Sequence, residues 1–289
     1  MTVTFGYIGV IMAASPSNAP AMRLFTSLVI LLLILYAGLC LAMFLFQRSL
    51  IYFPQGRSQP AETIILPVAG AELVITHHPQ PGPSAVLYFG GNAEDVSASL
   101  PTLSAAYPGH SLYLMHYRGY GGSGGAPSEA ALQADARALF DKVAATQPEI
   151  TLVGRSLGSG IAIALAASRP ARRLVLITPY DSIEDLAAAQ FPWLPVRWLI
   201  RDRYRSIDAA PRITIPTVLV QAEHDTIIPP AHTQRLLDAF PANTARRVLI
   251  AGAGHNDIDQ APGYLEAIGA LTPGSAGTSP GMHRPPVPR

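Results

Sequence analysis

Gly154-Arg-Ser156-Leu-Gly158 is a Gly-x-Ser-x-Gly run set between an apolar stretch, Ile150–Val153, and a small-residue helical pattern that starts at Leu157. A strand-turn-helix of this kind makes a sharp elbow, holds its serine at strained backbone angles and lifts the hydroxyl above the sheet edge. The two glycines remove Cβ atoms that would collide across so tight a turn. The helix that follows aims its free amides and positive dipole end at any oxyanion formed there. The chemistry this suits is nucleophilic acyl transfer, which also requires a base, an acid that orients the base, and two oxyanion donors. Asp225, in Val220-Gln-Ala-Glu-His224-Asp225-Thr-Ile-Ile-Pro229, falls just past a predicted strand. His255, in Ala251-Gly-Ala-Gly-His255-Asn-Asp257, falls just past the last one. Their order along the chain is nucleophile, acid, base, and all three leave strands at the same sheet edge. His255 would take the serine proton, while Asp225 fixes its tautomer and stabilises the imidazolium.

Rivals exist for each role. Gly121-Gly-Ser123-Gly-Gly125 repeats the serine pattern, but Ser123 lies in a glycine-rich loop that strand and helix do not bracket. Asp181, after another predicted strand, competes with Asp225 as the acid. His77, His78, His110, His116 and His224 read as surface or core residues. For the oxyanion, one amide belongs to Leu157, directly after the nucleophile, and the other to the loop after the third strand, Phe89-Gly90-Gly91-Asn92-Ala93, through Asn92. Gly119-Tyr-Gly121-Gly-Ser-Gly124 matches a dinucleotide fingerprint, yet Pro127 and Ser128 delay the helix that should receive the pyrophosphate.

These residues need elements to position them. Predicted strands are Thr63–Pro67, Glu72–His77, Ala85–Phe89, Ser111–His116, Ile150–Val153, Leu174–Ile177, Thr217–Gln221 and Val248–Ala251. From the third onward they alternate with helical patterns at Ser128–Thr146, Leu157–Ser168, Ala231–Phe240 and Gly263–Leu271. Continuously apolar strands alternating with helices predict an α/β fold, a parallel sheet covered on both faces, whose ligands bind at the strands' carboxyl ends. Charged residues are only 13% of the 289, against about 25% in typical soluble domains. Net charge is +1 with no basic block, which argues against nucleic-acid partners. Lys142, the sole lysine, follows Asp141 in a predicted helix, which excludes a Walker loop and disfavours a Schiff base. One cysteine, Cys40, forbids an internal disulfide and disfavours thiol catalysis or a thiolate metal site. No cofactor or metal is expected.

Residues 24–46 carry no charge and are dominated by Leu, Ile, Val, Ala and Phe, enough for a helix to cross a hydrocarbon core of about 30 Å. Arg23 and Arg48 flank the run, and Ile51-Tyr52-Phe53 follows at an interfacial position. A cleaved signal peptide is the alternative, but its apolar region is usually about 7–15 residues. The lipoprotein reading of Ala37-Gly-Leu-Cys40 is weaker, since the apolar run continues past the cysteine. A single-pass signal anchor is expected, with residues 1–23 as an N-terminal tail (Met22 being an alternative start) and the side of the catalytic domain undecided. From Thr272 to Arg289 the chain is rich in Pro, Gly and Ser, and is expected to be a disordered tail.

Five stretches in order, Phe89-Gly-Gly-Asn-Ala93, Tyr117-Arg-Gly-Tyr-Gly-Gly-Ser123, Gly154-Arg-Ser-Leu-Gly158, His224-Asp-Thr-Ile-Ile-Pro229 and Gly254-His-Asn-Asp257, resemble the α/β-hydrolase superfamily. More narrowly, the chain resembles its membrane-anchored branch, which includes lysophospholipid-hydrolysing and protein-depalmitoylating members. The resemblance spans residues 50–271 and implies a mostly parallel eight-stranded sheet with helices on both faces, a short cap insertion at 181–213, catalytic Ser156, Asp225 and His255, and oxyanion amides at Leu157 and Asn92. One departure is Gly90, where the family's loop often begins with a histidine, which leaves the loop's supporting hydrogen bond open but not the backbone donor. The insertion holds both tryptophans, in Phe191-Pro-Trp193-Leu-Pro-Val-Arg-Trp198. Phe191, Trp193 and Trp198 could grip an acyl chain, lie against a bilayer, or simply pack over the sheet. The expected function is a membrane-anchored serine hydrolase cleaving a carboxylic ester, thioester or lipid acyl group. Alternatives are a serine peptidase of prolyl-oligopeptidase-like type and a non-catalytic membrane scaffold.

Overall fold

The computed structural model describes residues 19–269. The N-terminal tail expected at 1–23 lies outside them up to residue 18, and the tail expected from Thr272 lies wholly outside. The chain divides into two compact units between Leu45 and Phe46. The first holds most of helix α1 (Ala19–Ile51), whose stretch Met22–Ile51 is long and apolar enough to cross a membrane.

The second unit is built on eight strands: β1 (Thr63–Val68), β2 (Ala71–His78), β3 (Ser84–Phe89), β4 (Ser111–Met115), β5 (Glu149–Arg155), β6 (Arg173–Ile177), β7 (Thr217–Ala222) and β8 (Ala245–Ile250). They form one sheet in the order β1-β2-β4-β3-β5-β6-β7-β8. β1 and β2 form an antiparallel hairpin, β2 pairs antiparallel with β4, and the pairs from β4 to β8 are parallel. This is the α/β-hydrolase fold that the strand–helix alternation and the resemblance point to.

Successive residues along each strand face opposite sides, and both sides are apolar. Leu87, Leu152, Leu174, Leu176 and Leu219 pack on one face with α3 (Glu129–Ala144), α4 (Leu157–Ala166) and α8 (Pro230–Ala239). Val86, Val153, Val175 and Val218 face the other side, towards Leu103 of helix α2 (Leu100–Ala106) and Ile268 of helix α9 (Tyr264–Gly269). Between β6 and β7 the chain makes three short helices, α5 (Ile183–Gln190), α6 (Val196–Leu199) and α7 (Ser206–Ala209). Within this same unit, the last turn of α1 is fastened to the insertion. Gln47 Nε2 donates to the Leu199 carbonyl (3.1 Å), Arg48 Nε pairs with Asp202 (3.0 Å), and Tyr52 donates to Asp202 (3.1 Å).

Candidate active site

Ser156 stands at the turn from β5 into α4 with φ 50° and ψ −117°. A non-glycine residue there costs about 1–3 kcal/mol, a strain that the surrounding packing must hold. The close approach explains both glycines: a Cβ on Gly158 would run into the Phe89 carbonyl, and one on Gly154 into the Gly158 carbonyl. The Ser156 amide is tied to the Ile177 carbonyl (2.9 Å), so the elbow is pinned to the neighbouring strand.

The structure brings Ser156, Asp225 and His255 together. Ser156 Oγ lies 3.0 Å from His255 Nε2, and His255 Nδ1 lies 2.8 Å from Asp225 Oδ2. Asp225 is buried, and its other oxygen accepts the amides of Ile227 (3.0 Å) and Ile228 (2.7 Å), which fix the carboxylate plane. The two supporting loops are linked to each other, because the His224 amide donates to the Ala253 carbonyl (2.8 Å). Asp181 is engaged elsewhere. His232 Nδ1 and Arg235 Nε each sit 2.6 Å from its carboxylate, and the Ser182 amide adds a third contact. Ser123 is buried and structural, donating to the His116 carbonyl and accepting the Val74 amide, each at 2.8 Å.

The loop after β3 runs beside Ser156, and a Cβ placed on Gly91 would be 3.7 Å from Ser156 Cβ. The Gly91 amide is bound to Glu94 Oε2 (2.7 Å), whereas the amides of Leu157 and Asn92 meet no acceptor among the described residues. Both sequence-expected donors therefore remain available. The Asn92 carbonyl is held from two sides, by the Tyr120 hydroxyl (2.7 Å) and the Phe53 amide (3.1 Å), and the Tyr117 hydroxyl holds the Gly90 carbonyl (2.7 Å).

Glu94 and Arg155 were missed from sequence. Glu94 accepts the Tyr88 hydroxyl (2.6 Å), the Ser99 hydroxyl (2.7 Å) and the Gly91 amide, and so braces the loop. A side chain at 90 has no room, since its Cβ would press on Val96 and Glu94. Arg155 points between the loops, 3.9 Å from Glu94 and 3.9 Å from Asp259, with Nη2 at 3.5 Å from the His255 carbonyl. Burial pulls the Arg155 guanidinium towards the neutral form, but Tyr88, Glu94, Tyr264 and Asp259 together outweigh it and hold its pKa above the usual value. The one available signal was that Glu94 lies three residues after Gly91, the spacing of a carboxylate that closes a turn on a backbone amide.

Phe191 packs edge-on against Trp193, with ring centroids 6.2 Å apart. Trp193 is 53% exposed and Trp198 89%, so both tryptophans face outward from the insertion. Among the described residues no group of three His, Cys, Asp or Glu side chains is arranged to hold a metal ion.

A family model described as the alpha/beta hydrolase fold matches residues 84–206. An uncharacterized protein of Mycobacterium tuberculosis is 36% identical over 242 residues, which cover 77% of this chain and 85% of that protein. Protein bem46 of Schizosaccharomyces pombe is 28% identical over 199 residues, 63% of this chain and 65% of its own length. Among solved structures, an esterase of Pyrococcus furiosus superposes with a TM-score of 0.62 over 76% of this chain and 97% of that one, at 14% identity. At that identity the match speaks for the fold.

Proposed function

We propose, from the premise that this chain belongs to the α/β-hydrolase superfamily, that it is a membrane-anchored serine hydrolase acting on carboxylic esters or thioesters. The observation that carries the reading is the unbroken relay from Ser156 Oγ through His255 to buried Asp225, mounted on a strained elbow. Ser156 Oγ attacks the acyl carbonyl carbon as its proton passes to His255 Nε2. The resulting oxyanion is received by the Leu157 and Asn92 amides. Collapse breaks the bond to the alcohol or thiol, which leaves with the proton from His255. Water, deprotonated by the same imidazole, then attacks the acyl-serine, releases the carboxylic acid and restores the serine.

Anchoring rests on Met22–Ile51, a 30-residue apolar helix. The outward-facing Trp193 and Trp198 suit the bilayer-facing reading of the insertion, because tryptophan favours the headgroup level. A substrate carrying an acyl chain, whether lipid or acylated protein, fits a site held beside a membrane.

Labelling of the purified full chain by a fluorophosphonate tests the mechanism. Labelling abolished in Ser156→Ala is expected, and a folded wild-type protein that fails to label would leave the scaffold reading in its place. A matched panel of esters, thioesters and peptides then separates the esterase from the peptidase reading.

A further inference from the structure

The catalytic residues occupy the carboxyl edge of the sheet, and a second site candidate lies at the opposite edge. There the amino ends of β3, β5, β6, β7 and β8 line a cavity of about 750 Å³. Three of its lining residues are arginines: Arg172, Arg173 and Arg246. Arg173, the first residue of β6, is 92% withdrawn from solvent, with 8% left exposed, yet its Nη1 and Nη2 atoms have no hydrogen-bond partner among the described residues. A guanidinium cannot shed its charge, and buried charged groups are held by partners. The nearby groups do not supply one. Tyr107 gives its proton to the Ile268 carbonyl (2.7 Å), and the carboxylate lining the cavity, Glu149, is taken by Ser84 (3.0 Å) and Arg172 (3.8 Å). Burial pulls the Arg173 guanidinium below its usual pKa, Tyr107 offsets part of this, and the like charge of Arg246 adds to it.

We infer that this cavity binds a phosphate group between Arg173 and Arg246, at a site separate from the catalytic serine. Three guanidinium charges against one carboxylate leave an excess that a phosphate dianion matches and a single carboxylate does not. The planar fork of the exposed Arg246 also suits bidentate contact with phosphate oxygens. Asn243 on the cavity wall adopts φ 63°, holding a turn at its rim.

The test is titration calorimetry on the full chain in detergent, at matched ionic strength, with inorganic phosphate, glycerol 3-phosphate and dihexanoyl phosphatidic acid below its micelle concentration. Saturable binding of at least one probe is expected. Arg173→Met and Arg246→Gln should each weaken it about ten- to a hundredfold, the loss of a charge-assisted contact. Ester turnover should be unchanged in both variants, since neither residue lies at the carboxyl edge. Arg173→Met should also hold or raise the Tm without phosphate, because it removes an unpaired buried charge. Should that variant fail to fold, Arg246→Gln, at an exposed strand position, decides alone. Tighter binding of the phosphatidic acid assigns the site to a lipid headgroup, and equal binding of glycerol 3-phosphate assigns it to a soluble ester. No saturable binding of any probe, or equal affinity in wild type and both variants, overturns the inference. Failure here leaves the Ser156 reading untouched.

Discussion

Glu94 offers the sharpest test of how the loop after β3, proposed to carry an oxyanion donor, is held. Its Oε1 accepts two hydroxyl protons and its Oε2 one backbone amide, all within 2.7 Å, and the side chain is only 12% exposed. Glu94→Gln can keep all three contacts if its amide turns. The oxygen then faces the Gly91 amide, while the Tyr88 and Ser99 hydroxyls rotate to accept from the nitrogen. Only the charge is lost, which should cost about 1–2 kcal/mol of loop support and roughly tenfold in kcat. Glu94→Ala removes every contact and releases the loop that presents the Asn92 amide. Loss of one oxyanion donor lowers kcat by about 10²–10³, and because the donor acts on the tetrahedral intermediate, KM should change little. The assay is steady-state hydrolysis of a short p-nitrophenyl ester by the full chain, run well below the Tm of each variant. A folded Glu94→Ala enzyme with kcat within twofold of wild type would refute the claim that Glu94 positions Asn92.

Two further outcomes follow from the packing. Gly158→Ala drives a methyl into the Phe89 carbonyl, so the Tm should fall by several degrees, about 1–3 kcal/mol, with turnover lost; an unchanged Tm would remove the close-approach argument. His116 lies under Gly121, bonded to Thr76 (2.9 Å), and burial pulls its pKa from 6.5 to about 4 against a smaller upward pull from Asp95. Its folded value lies below its unfolded one, so its contribution is fully present above about pH 6.5 and is lost as the pH falls towards about 4, some 3 kcal/mol in all. NMR titration of the His116 ring checks this, and a midpoint near 6.5 would contradict it.

The strands were legible because buried parallel strands read as apolar runs, and the serine, aspartate and histidine because each follows such a run at the same edge. β8 begins three residues earlier than expected, at Ala245: Arg246 and Arg247 lie on an edge strand whose outer side is exposed, so its first half carries no apolar signal. α2 was missed, as Pro101 and a run of small residues hide its periodicity. The helices α6 and α7 are four residues each, too short to leave a helical pattern, and are set by contacts distant in sequence. Asp181 parts from Asp225 only in the fold, where it pairs with His232 and Arg235, some fifty residues on. Glu94 and Arg155 act by joining loops that the linear order keeps apart.

The last turn of α1 bears on where this chain can be shortened. Helix α1 runs to Ile51, which invites a cut close to that residue. Yet Gln47, Arg48 and Tyr52 are bonded into residues 199–202, and the Phe53 amide donates to the Asn92 carbonyl. A version starting at residue 50 would strip Gln47 and Arg48 from the insertion, and one starting at 54 would also remove one of the two contacts that hold the Asn92 carbonyl. The useful start is Phe46 or Gln47, where the apolar run ends and the second compact unit begins.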